Sequence, residues 1–371
     1  MTVIDASALE CAHLLDCMQA TFVLLAGRYH GPCCYLALGA DLRFAPRSGG
    51  GKLPTIELPL EDHLIAAQRW LGLRIKAQWR VSAAPKPSTL LAGHDSVYIV
   101  ADAFYLPWVP YFARRHMDHS FLVEYQGDKV AVFDGYHNDT QWGPARPGTW
   151  NLSDKQLAEA LPNGADAVAL VPTDSVGSLP QPQFTAPDAE SVTAYLRAYR
   201  DYSDRMEALE QLTLETWLMA RYRQLHAALH KKIVGTSTQI ISDHLAQWNL
   251  LVEQTYLAYR RIQRGRPEPG GVIDRLAELL AADAMVFGKP NFRDRVATEV
   301  ATVLGVAKAE LLAGATLPSF PTFNSFRLVE IVERLEDRLC VGFDPDDLVP
   351  ENLHCIDDLC RIASRHLEEP T

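Results

Sequence analysis

His119 and Asp134 have the residue types of a catalytic base and the acid that orients it. Residues 119–134 contain two runs rich in Val, Phe and Tyr around a polar centre, which predicts a β-hairpin. If Gln126-Gly127 is a two-residue turn, His119 lies opposite Asp134 with the Cβ atoms ~5 Å apart. An imidazole held by a carboxylate in this way is part of a Cys-His-Asp nucleophilic site. The alternative interpretation is a polar end of a hairpin without a catalytic role.

Such a site requires a cysteine, and Cys17 lies in a suitable position. Asp16-Cys17-Met18-Gln19 predicts a capping box, with Asp16 as the N-cap and Gln19 as the third helical residue. Cys17 would then begin a helix that ends at Gly27. Free N–H groups and the helix dipole at this position favour an anion, so we expect a lowered pKa for the Cys17 thiol.

The other cysteines leave alternatives open. The chain has seven cysteines at irregular spacing, and its first residues lack the basic and apolar segments of a signal peptide. This usage predicts free thiols in the cytoplasm. Cys33 and Cys34 are rival nucleophiles, although the apolar residues 35–38 after them are typical of a buried element, where cysteine is a packing residue. A chain without any nucleophilic cysteine is the third possibility.

Composition limits the classes of protein. A length of 371 residues with 48% hydrophobic residues predicts two or three domains with hydrophobic cores. The net charge of −11 argues against nucleic acid or an anionic membrane surface as the main partner. No apolar run approaches the ~18 residues needed to cross a bilayer. Most of the excess charge lies in residues 291–371, which contain 15 acidic and 8 basic residues.

The remaining patterns predict the elements that would position these residues. We expect an amphipathic helix at 60–72, a buried strand at 97–102 ending in Asp102, an aromatic segment at 104–111, a boundary rich in Pro, Ser and Thr at 173–189, long helices over 189–263 and a short helix at 272–286. The aromatic segment would form a pocket rim or pack in the core. Asp102 would either orient the site or cap its strand.

Two histidine pairs have metal-like spacing but lack further ligands. His226 and His230 lie four residues apart, and His116 and His119 three apart, without a third ligand at helical spacing. We therefore predict no metal site.

The last part of the chain predicts a small helical domain. Helices are expected at 292–305, 327–339 and about 355–366, and the middle one has Leu328, Val332, Leu335 and Leu339 on one face and acidic residues on another. Ser325 precedes this helix at the expected N-cap. A plain N-cap is one interpretation, because serine fills that position well.

Residues 291–371 resemble an acyl carrier protein domain. The resemblance lies in Asn324-Ser325-Phe326 and in the helix Leu-Val-Glu-Ile-Val-Glu-Arg-Leu-Glu that follows. The family's usual tripeptide is Asp-Ser-Leu, so the serine is kept and the acid is replaced by Asn324. The resemblance implies a four-helix fold and a covalent 4'-phosphopantetheine arm on Ser325. It also implies two partner enzymes, a phosphopantetheinyl transferase and an acyl-loading enzyme.

Residues 10–137 resemble the N-terminal domain of the butirosin-biosynthesis-H-like acyltransferases, which are papain-like in fold. The matching stretches are residues 16–27 (from Asp16-Cys17 through Leu24-Leu25-Ala26-Gly27), residues 38–44, residues 101–107, Met117-Asp118-His119 and Val132-Phe133-Asp134. The resemblance implies that Cys17 is the nucleophile, His119 the base and Asp134 the acid that orients the base.

Together these patterns predict an α+β protein: a papain-like catalytic domain (1–180), a helical extension (181–286) and a four-helix carrier domain (291–371). The resemblance to the acyltransferases implies transfer of an acyl group from a carrier-protein thioester, through an acyl-Cys17 intermediate, to a small-molecule amine in natural-product biosynthesis. The alternatives are a thioesterase or amidase that hydrolyses a carrier-bound chain, and a non-catalytic scaffold that presents the carrier.

Overall fold

The computed structural model describes residues 6, 9–48, 53–126, 129–173, 178–234, 239–288, 292–339, 342–349 and 353–365. It mixes helices with β-strands, so the broad α+β class is confirmed. The chain forms two compact units, Met1–Val286 and Phe287–Thr371. The expected catalytic domain and helical extension both lie within the first unit, and the expected carrier domain lies within the second. None of the helices in the described ranges combines the length and apolar composition needed to span a bilayer.

The secondary-structure elements are numbered in chain order. The strands are β1 (Asp41–Arg43), β2 (Arg47–Ser48), β3 (Pro54–Thr55), β4 (Leu73–Val81), β5 (Ser96–Asp102), β6 (Asp118–Gln126), β7 (Lys129–Asp134), β8 (Asn138–Thr140), β9 (Gly143–Ala145), β10 (Gly148–Leu152), β11 (Ala165–Pro172) and β12 (Gln183–Thr185). The helices are α1 (Cys17–His30), α2 (Leu60–Leu71), α3 (Pro87–Leu91), α4 (Asp154–Ala160), α5 (Ala189–Asp201), α6 (Arg205–Val234), α7 (Gln239–Gln263), α8 (Val272–Phe287), α9 (Phe292–Leu304), α10 (Lys308–Leu312), α11 (Ser325–Leu339) and α12 (Ile356–Arg365).

A six-stranded sheet lies at the centre of the first unit. Its order is β10-β7-β6-β5-β11-β4, and each neighbouring pair is antiparallel. Alternate side chains point to opposite faces. Leu122 and Phe133 pack with α1 and α2 on one face, whereas Phe121 and Val132 pack with α3 and α4 on the other. Because both faces are covered, the middle residues of the central strands (98–101, 121–123 and 130–133) are apolar.

The register of the β6–β7 hairpin differs from the predicted one. Gln126 pairs with Lys129 and Leu122 with Phe133, so residues 127–128, outside the described part of the chain, connect the strands. The predicted turn at Gln126-Gly127 is therefore wrong, and His119 is not directly opposite Asp134. The observed pairing is shifted from the predicted pairing by two residues along one strand. An even shift keeps both side chains on the same face, where diagonal neighbours remain ~7 Å apart and within reach of an imidazole.

The start of α1 has the predicted capping box. Asp16 Oδ1 accepts a hydrogen bond from Gln19 N at 2.8 Å, and Gln19 Oε1 accepts one from Asp16 N at 3.3 Å. Cys17 is consequently the first helical residue. The predicted end at Gly27 is wrong, because α1 continues to His30 and is capped by Gly31, whose φ of 82° suits a residue without a side chain.

Helix α6 joins the helical region to the N-terminal part of the first unit. It has 30 residues and therefore extends over ~45 Å. It packs on α5, α7 and α8 around one core and on the 3-10 helix Cys34–Gly39 elsewhere. At that second contact a Cβ atom on Gly39 would lie 2.5 Å from Leu225 O, so only glycine permits the observed approach. The predicted boundary at 173–189 also contains β12, which pairs with β1 in parallel.

The second unit contains α9 to α12 around a core of its own. The core residues include Val296, Val300, Leu311, Ile331, Leu335 and Leu359. Ser325 is exposed and is the first residue of α11. The expectation that Ser325 is the N-cap is wrong, because Asn324 Oδ1 accepts hydrogen bonds from Phe326 N and Arg327 N, each at 3.0 Å. The cap is thus asparagine, and the Ser325 hydroxyl is not needed for it.

Two glycine-to-alanine variants test the contact between α6 and the 3-10 helix. We expect Gly39→Ala to lower the free energy of unfolding by about 1–3 kcal/mol, because the new methyl group meets backbone atoms. Gly27→Ala is the matched control, since its Cβ atom meets nothing within 4 Å inside α1. It should stabilise the protein by roughly 0.5–1 kcal/mol. Urea denaturation measures both, and equal stability of the two variants would contradict the close approach.

Candidate active site

His119 and Asp134 form a buried hydrogen bond at one end of the sheet. His119 lies near the start of β6 and Asp134 at the end of β7, and their side chains share the face opposite α1. His119 Nε2 donates to Asp134 Oδ2 at 2.7 Å. The two residues are 0% and 2% exposed, so water does not compete for this hydrogen bond.

Two further donors hold the Asp134 carboxylate. Trp108 Nε1 donates to Oδ2 at 3.1 Å, and Tyr136 N donates to Oδ1 at 2.8 Å. The Trp108 ring packs edge-on against Phe121, with ring centroids 5.2 Å apart. With both oxygens bonded, the carboxylate has one orientation available and fixes the ring that it binds.

Hydroxyl groups attach the first turn of α1 to β6 beside His119. Ser120 Oγ donates to Cys17 O at 2.9 Å, and Thr21 Oγ1 donates to Ser120 O at 3.0 Å. Because Ser120 follows His119, these contacts place Cys17 next to the imidazole, and the two side chains interact. The structure therefore brings together the three residues proposed as nucleophile, base and orienting acid.

Burial affects the pKa of the Cys17 thiol more strongly than the dipole of α1 does. Burial is the largest cause and raises the pKa of the Cys17 thiol; His119 lowers this pKa, while the carboxylates of Asp16 and Asp134 raise it further. The expected lowered pKa for Cys17 is therefore wrong. The dipole of α1 does not offset the loss of hydration of a thiolate at this partly buried position between the start of α1 and the sheet.

The pKa of His119 is also raised, although burial alone would lower it. Burial disfavours the imidazolium, but the charge and hydrogen bond of Asp134, together with the neighbouring Cys17, outweigh burial and raise the pKa of His119 to about 10. The second ring nitrogen, Nδ1, is buried and is not used by Asp134, so it is the ring atom available for the interaction with Cys17. Since Nε2 is bound to Asp134, Nδ1 is the nitrogen available for proton exchange with Cys17.

The rival cysteines lie outside this arrangement. Cys34 is buried in the core beside α1, and burial raises the pKa of its thiol to about 11. Cys33 is exposed. Among the described cysteines, Cys17 is the one whose side chain interacts with His119.

The other polar residues singled out in the sequence have structural contacts. Asp102 Oδ1 accepts a hydrogen bond from Phe104 N at 3.0 Å and caps a short turn, while its Oδ2 lies 2.7 Å from His116 Nδ1 on the surface. His226 Nδ1 donates to Gly39 O at 2.7 Å and helps to attach α6. No group of three potential metal ligands occurs within the described ranges.

Sequence reasoning missed several residues that hold the site. Trp108 belongs to the aromatic segment expected to line a pocket or the core, and nothing in its spacing indicated a bond to Asp134. Tyr136 was not singled out, although its ring packs edge-on against His119, with centroids 5.3 Å apart, and its hydroxyl lies 2.9 Å from that of Tyr111. Ser120 offered a signal, because strand alternation places it on the α1 face directly after His119.

Comparison with models of known protein families finds no match, and comparison with curated proteins finds no significant match either. We therefore base the functional proposal on the geometry around Cys17 and on the start of α11.

Replacing Asp16 tests how charge controls the Cys17 thiol. Asp16→Asn keeps an N-cap acceptor but removes a carboxylate that raises the pKa of Cys17. We expect the pH midpoint for alkylation of Cys17 by iodoacetamide to move to lower pH, as measured by mass spectrometry of the Cys17 peptide.

Asp16→Ala separates the charge from the cap. It removes both, so the same downward movement should accompany a loss of about 1 kcal/mol in the free energy of unfolding. An unchanged or higher midpoint in Asp16→Asn would contradict the assigned role of the charge.

Proposed function

We propose that this chain is a cysteine-dependent acyltransferase whose nucleophile is Cys17, with His119 as the base and Asp134 as the orienting acid. The observation that carries the proposal is the buried 2.7 Å hydrogen bond from His119 to Asp134 beside a thiol at the start of a helix. Cysteine nucleophiles need this combination, because the thiol must lose its proton to a neighbour that is itself held in place.

The proposed fold of the catalytic part is papain-like. Support comes from α1, which begins at the cysteine and packs on an antiparallel sheet, and from adjacent strands β6 and β7, which supply the histidine and the acid. Helices α5 to α8 would then be the helical extension of this fold.

Acylation of the enzyme would begin with transfer of the Cys17 proton to His119 Nδ1. The Cys17 sulfur attacks the thioester carbonyl of the donor, forming a C–S bond and a tetrahedral oxyanion. The oxyanion collapses, the bond to the donor's sulfur breaks, and His119 returns the proton to the departing thiol. Because one thioester replaces another, the step is nearly balanced in free energy and needs no strong activation of the leaving group.

The acyl-Cys17 intermediate would then react with an amine. His119 takes a proton from the attacking nitrogen, the new C–N bond forms, and the Cys17 thiol is released and reprotonated. The Cys17 N–H group is suitably placed to stabilise the oxyanion in both steps, because the first residues of a helix have no intrahelical acceptor.

We further propose that the second unit is an acyl carrier domain. The chemistry of a carrier requires a serine hydroxyl that a modifying enzyme can reach, and Ser325 is exposed at the start of α11 with its helix capped by another residue. Ser325 would hold a covalent 4'-phosphopantetheine arm, which supplies the thiol that carries an acyl group. A phosphopantetheinyl transferase and an acyl-loading enzyme would act on this unit.

Trapping the intermediate tests the acyltransferase proposal. Hexanoyl-pantetheine thioester should give a hexanoyl adduct on the Cys17 peptide of the full chain, and Cys17→Ala should give none. His119→Gln should slow adduct formation about 10²- to 10⁴-fold, because it lacks the base. Cys33→Ala is the matched control, since that thiol is exposed outside the site and its loss should change nothing.

The products separate the proposal from its alternatives. Amide formation with added primary amines, above the rate of release of free hexanoic acid, supports acyl transfer. Release of the acid alone at the same rate with and without amines would indicate a hydrolase. A wild-type Cys17 peptide without any adduct would contradict catalysis by this residue.

The carrier proposal has a separate test. Intact-mass analysis after treatment with a phosphopantetheinyl transferase and coenzyme A should show one added arm, absent in Ser325→Ala and retained in Ser319→Ala. Asn324→Asp restores the acid of the usual tripeptide and keeps an N-cap acceptor, so we expect faster modification without a loss of stability. An unmodified wild-type chain would contradict the carrier assignment.

A further inference from the structure

Arg221 of α6 is buried and binds three backbone carbonyl groups. Arg221 is only 7% exposed to solvent. Nη1 donates to Ala12 O at 3.1 Å and to Leu15 O at 2.5 Å, and Nη2 donates to His137 O at 2.7 Å. All three hydrogen bonds of the guanidinium group are therefore donated to main-chain oxygen atoms that are far from Arg221 in the sequence.

These carbonyl groups belong to the two segments that carry the reacting residues. Ala12 and Leu15 lie in the turn that leads into Asp16 and Cys17, and His137 follows Asp134 by three residues. The Arg221 guanidinium therefore connects the segment that precedes Cys17 to the segment that follows Asp134. Only a group with several donors in a fixed plane has this reach.

Ring contacts connect the same arginine to the base. The Arg221 guanidinium lies over the Trp217 ring at 4.1 Å, and Trp217 packs edge-on against Tyr136 with centroids 6.3 Å apart. Tyr136 in turn packs edge-on against His119. The Trp217 ring is itself fixed, since its Nε1 donates to Asn138 Oδ1 at 3.1 Å.

The contacts of Arg221 are unusual for a buried charge. Within the described ranges it forms no salt bridge, and burial lowers its pKa to about 10. A buried cation without a carboxylate partner is destabilising relative to an apolar side chain of similar size. Nearby Arg223 is paired with a carboxylate, as buried arginines usually are: its guanidinium donates to both oxygens of Asp283.

We propose that Arg221 is a positioning residue of the site: by holding both segments, it fixes the thiol of Cys17 against the imidazole of His119 so that the proton can pass between them. The inference rests on the proposed function only in taking Cys17 and His119 as the reacting pair. It assigns part of the site to the helical region, more than two hundred residues from the nucleophile.

The pH dependence of Cys17 alkylation tests this role. In Arg221→Lys and Arg221→Gln, the thiol should move away from His119, which lowers its pKa in the wild-type protein. We expect alkylation by iodoacetamide at pH 7 to slow about tenfold or more, and the pH midpoint to move higher, because a displacement of ~1 Å is enough to disrupt proton transfer. Lysine keeps the charge but lacks the planar donors that reach two segments.

Arg223→Lys is the matched control on the same helix. It disturbs the buried contact with Asp283 and should lower the melting temperature, yet leave the Cys17 profile at its wild-type position. A wild-type profile in Arg221→Lys would overturn the proposal, because charge alone would then suffice. A similar shift in Arg223→Lys would overturn it as well, since any loosening of α6 would have the same effect.

The alkylation profile needs no acyl substrate, so the two proposals fail separately. A shifted profile in both Arg221 variants, together with no hexanoyl adduct on wild-type Cys17, would keep the positioning role and reject acyl transfer. Acylation of the wild-type chain with an unshifted Arg221→Lys profile would reject the positioning role alone.

Discussion

The buried hydrogen bond between His119 and Asp134 constrains everything at this end of the sheet. A carboxylate that is 2% exposed needs a donor for each oxygen, and removing one partner of such a buried pair typically destabilises a protein by about 3–5 kcal/mol. The Trp108 indole and the Tyr136 amide therefore have to be present as well. The segment after β5 and the turn after β7 are both held by the Asp134 carboxylate, which also fixes the His119 ring.

The charged forms of Cys17 and His119 have opposite signs, and the structure places the two side chains next to each other. Burial disfavours both charged forms, yet the proposed proton transfer from Cys17 to His119 would create the two charges side by side. Their mutual attraction and the carboxylate of Asp134 offset part of the lost hydration. The proposed thiolate would therefore be stable mainly beside the imidazolium, at the start of α1 next to the sheet.

Local patterns in the sequence predicted the features that depend on neighbouring residues. Asp16 and Gln19 gave the start of α1, because a capping box involves four consecutive residues. Strand alternation put His119 and Asp134 on one face, although the turn between them was misplaced, since an even shift leaves the faces unchanged. The pKa of Cys17 could not be predicted in this way, because burial depends on the whole fold. Trp108 carried no sequence signal of its contact with Asp134 for the same reason.

Helix α6 shows why the expected division near residue 180 does not describe the site. Its Glu215 is fully buried and accepts hydrogen bonds from Ile56 N at 2.8 Å and from Thr55 Oγ1 at 2.5 Å, which fixes the segment after β3. About two turns further along, Arg221 donates hydrogen bonds to three carbonyl groups near Cys17 and Asp134. Residues 1–180 alone would lose the donors to those carbonyl groups and the acceptor for that segment, and unpaired buried polar groups are destabilising. The helical region therefore supplies hydrogen-bond partners for the segments next to Cys17 and Asp134, so the candidate site depends on contacts made by α6.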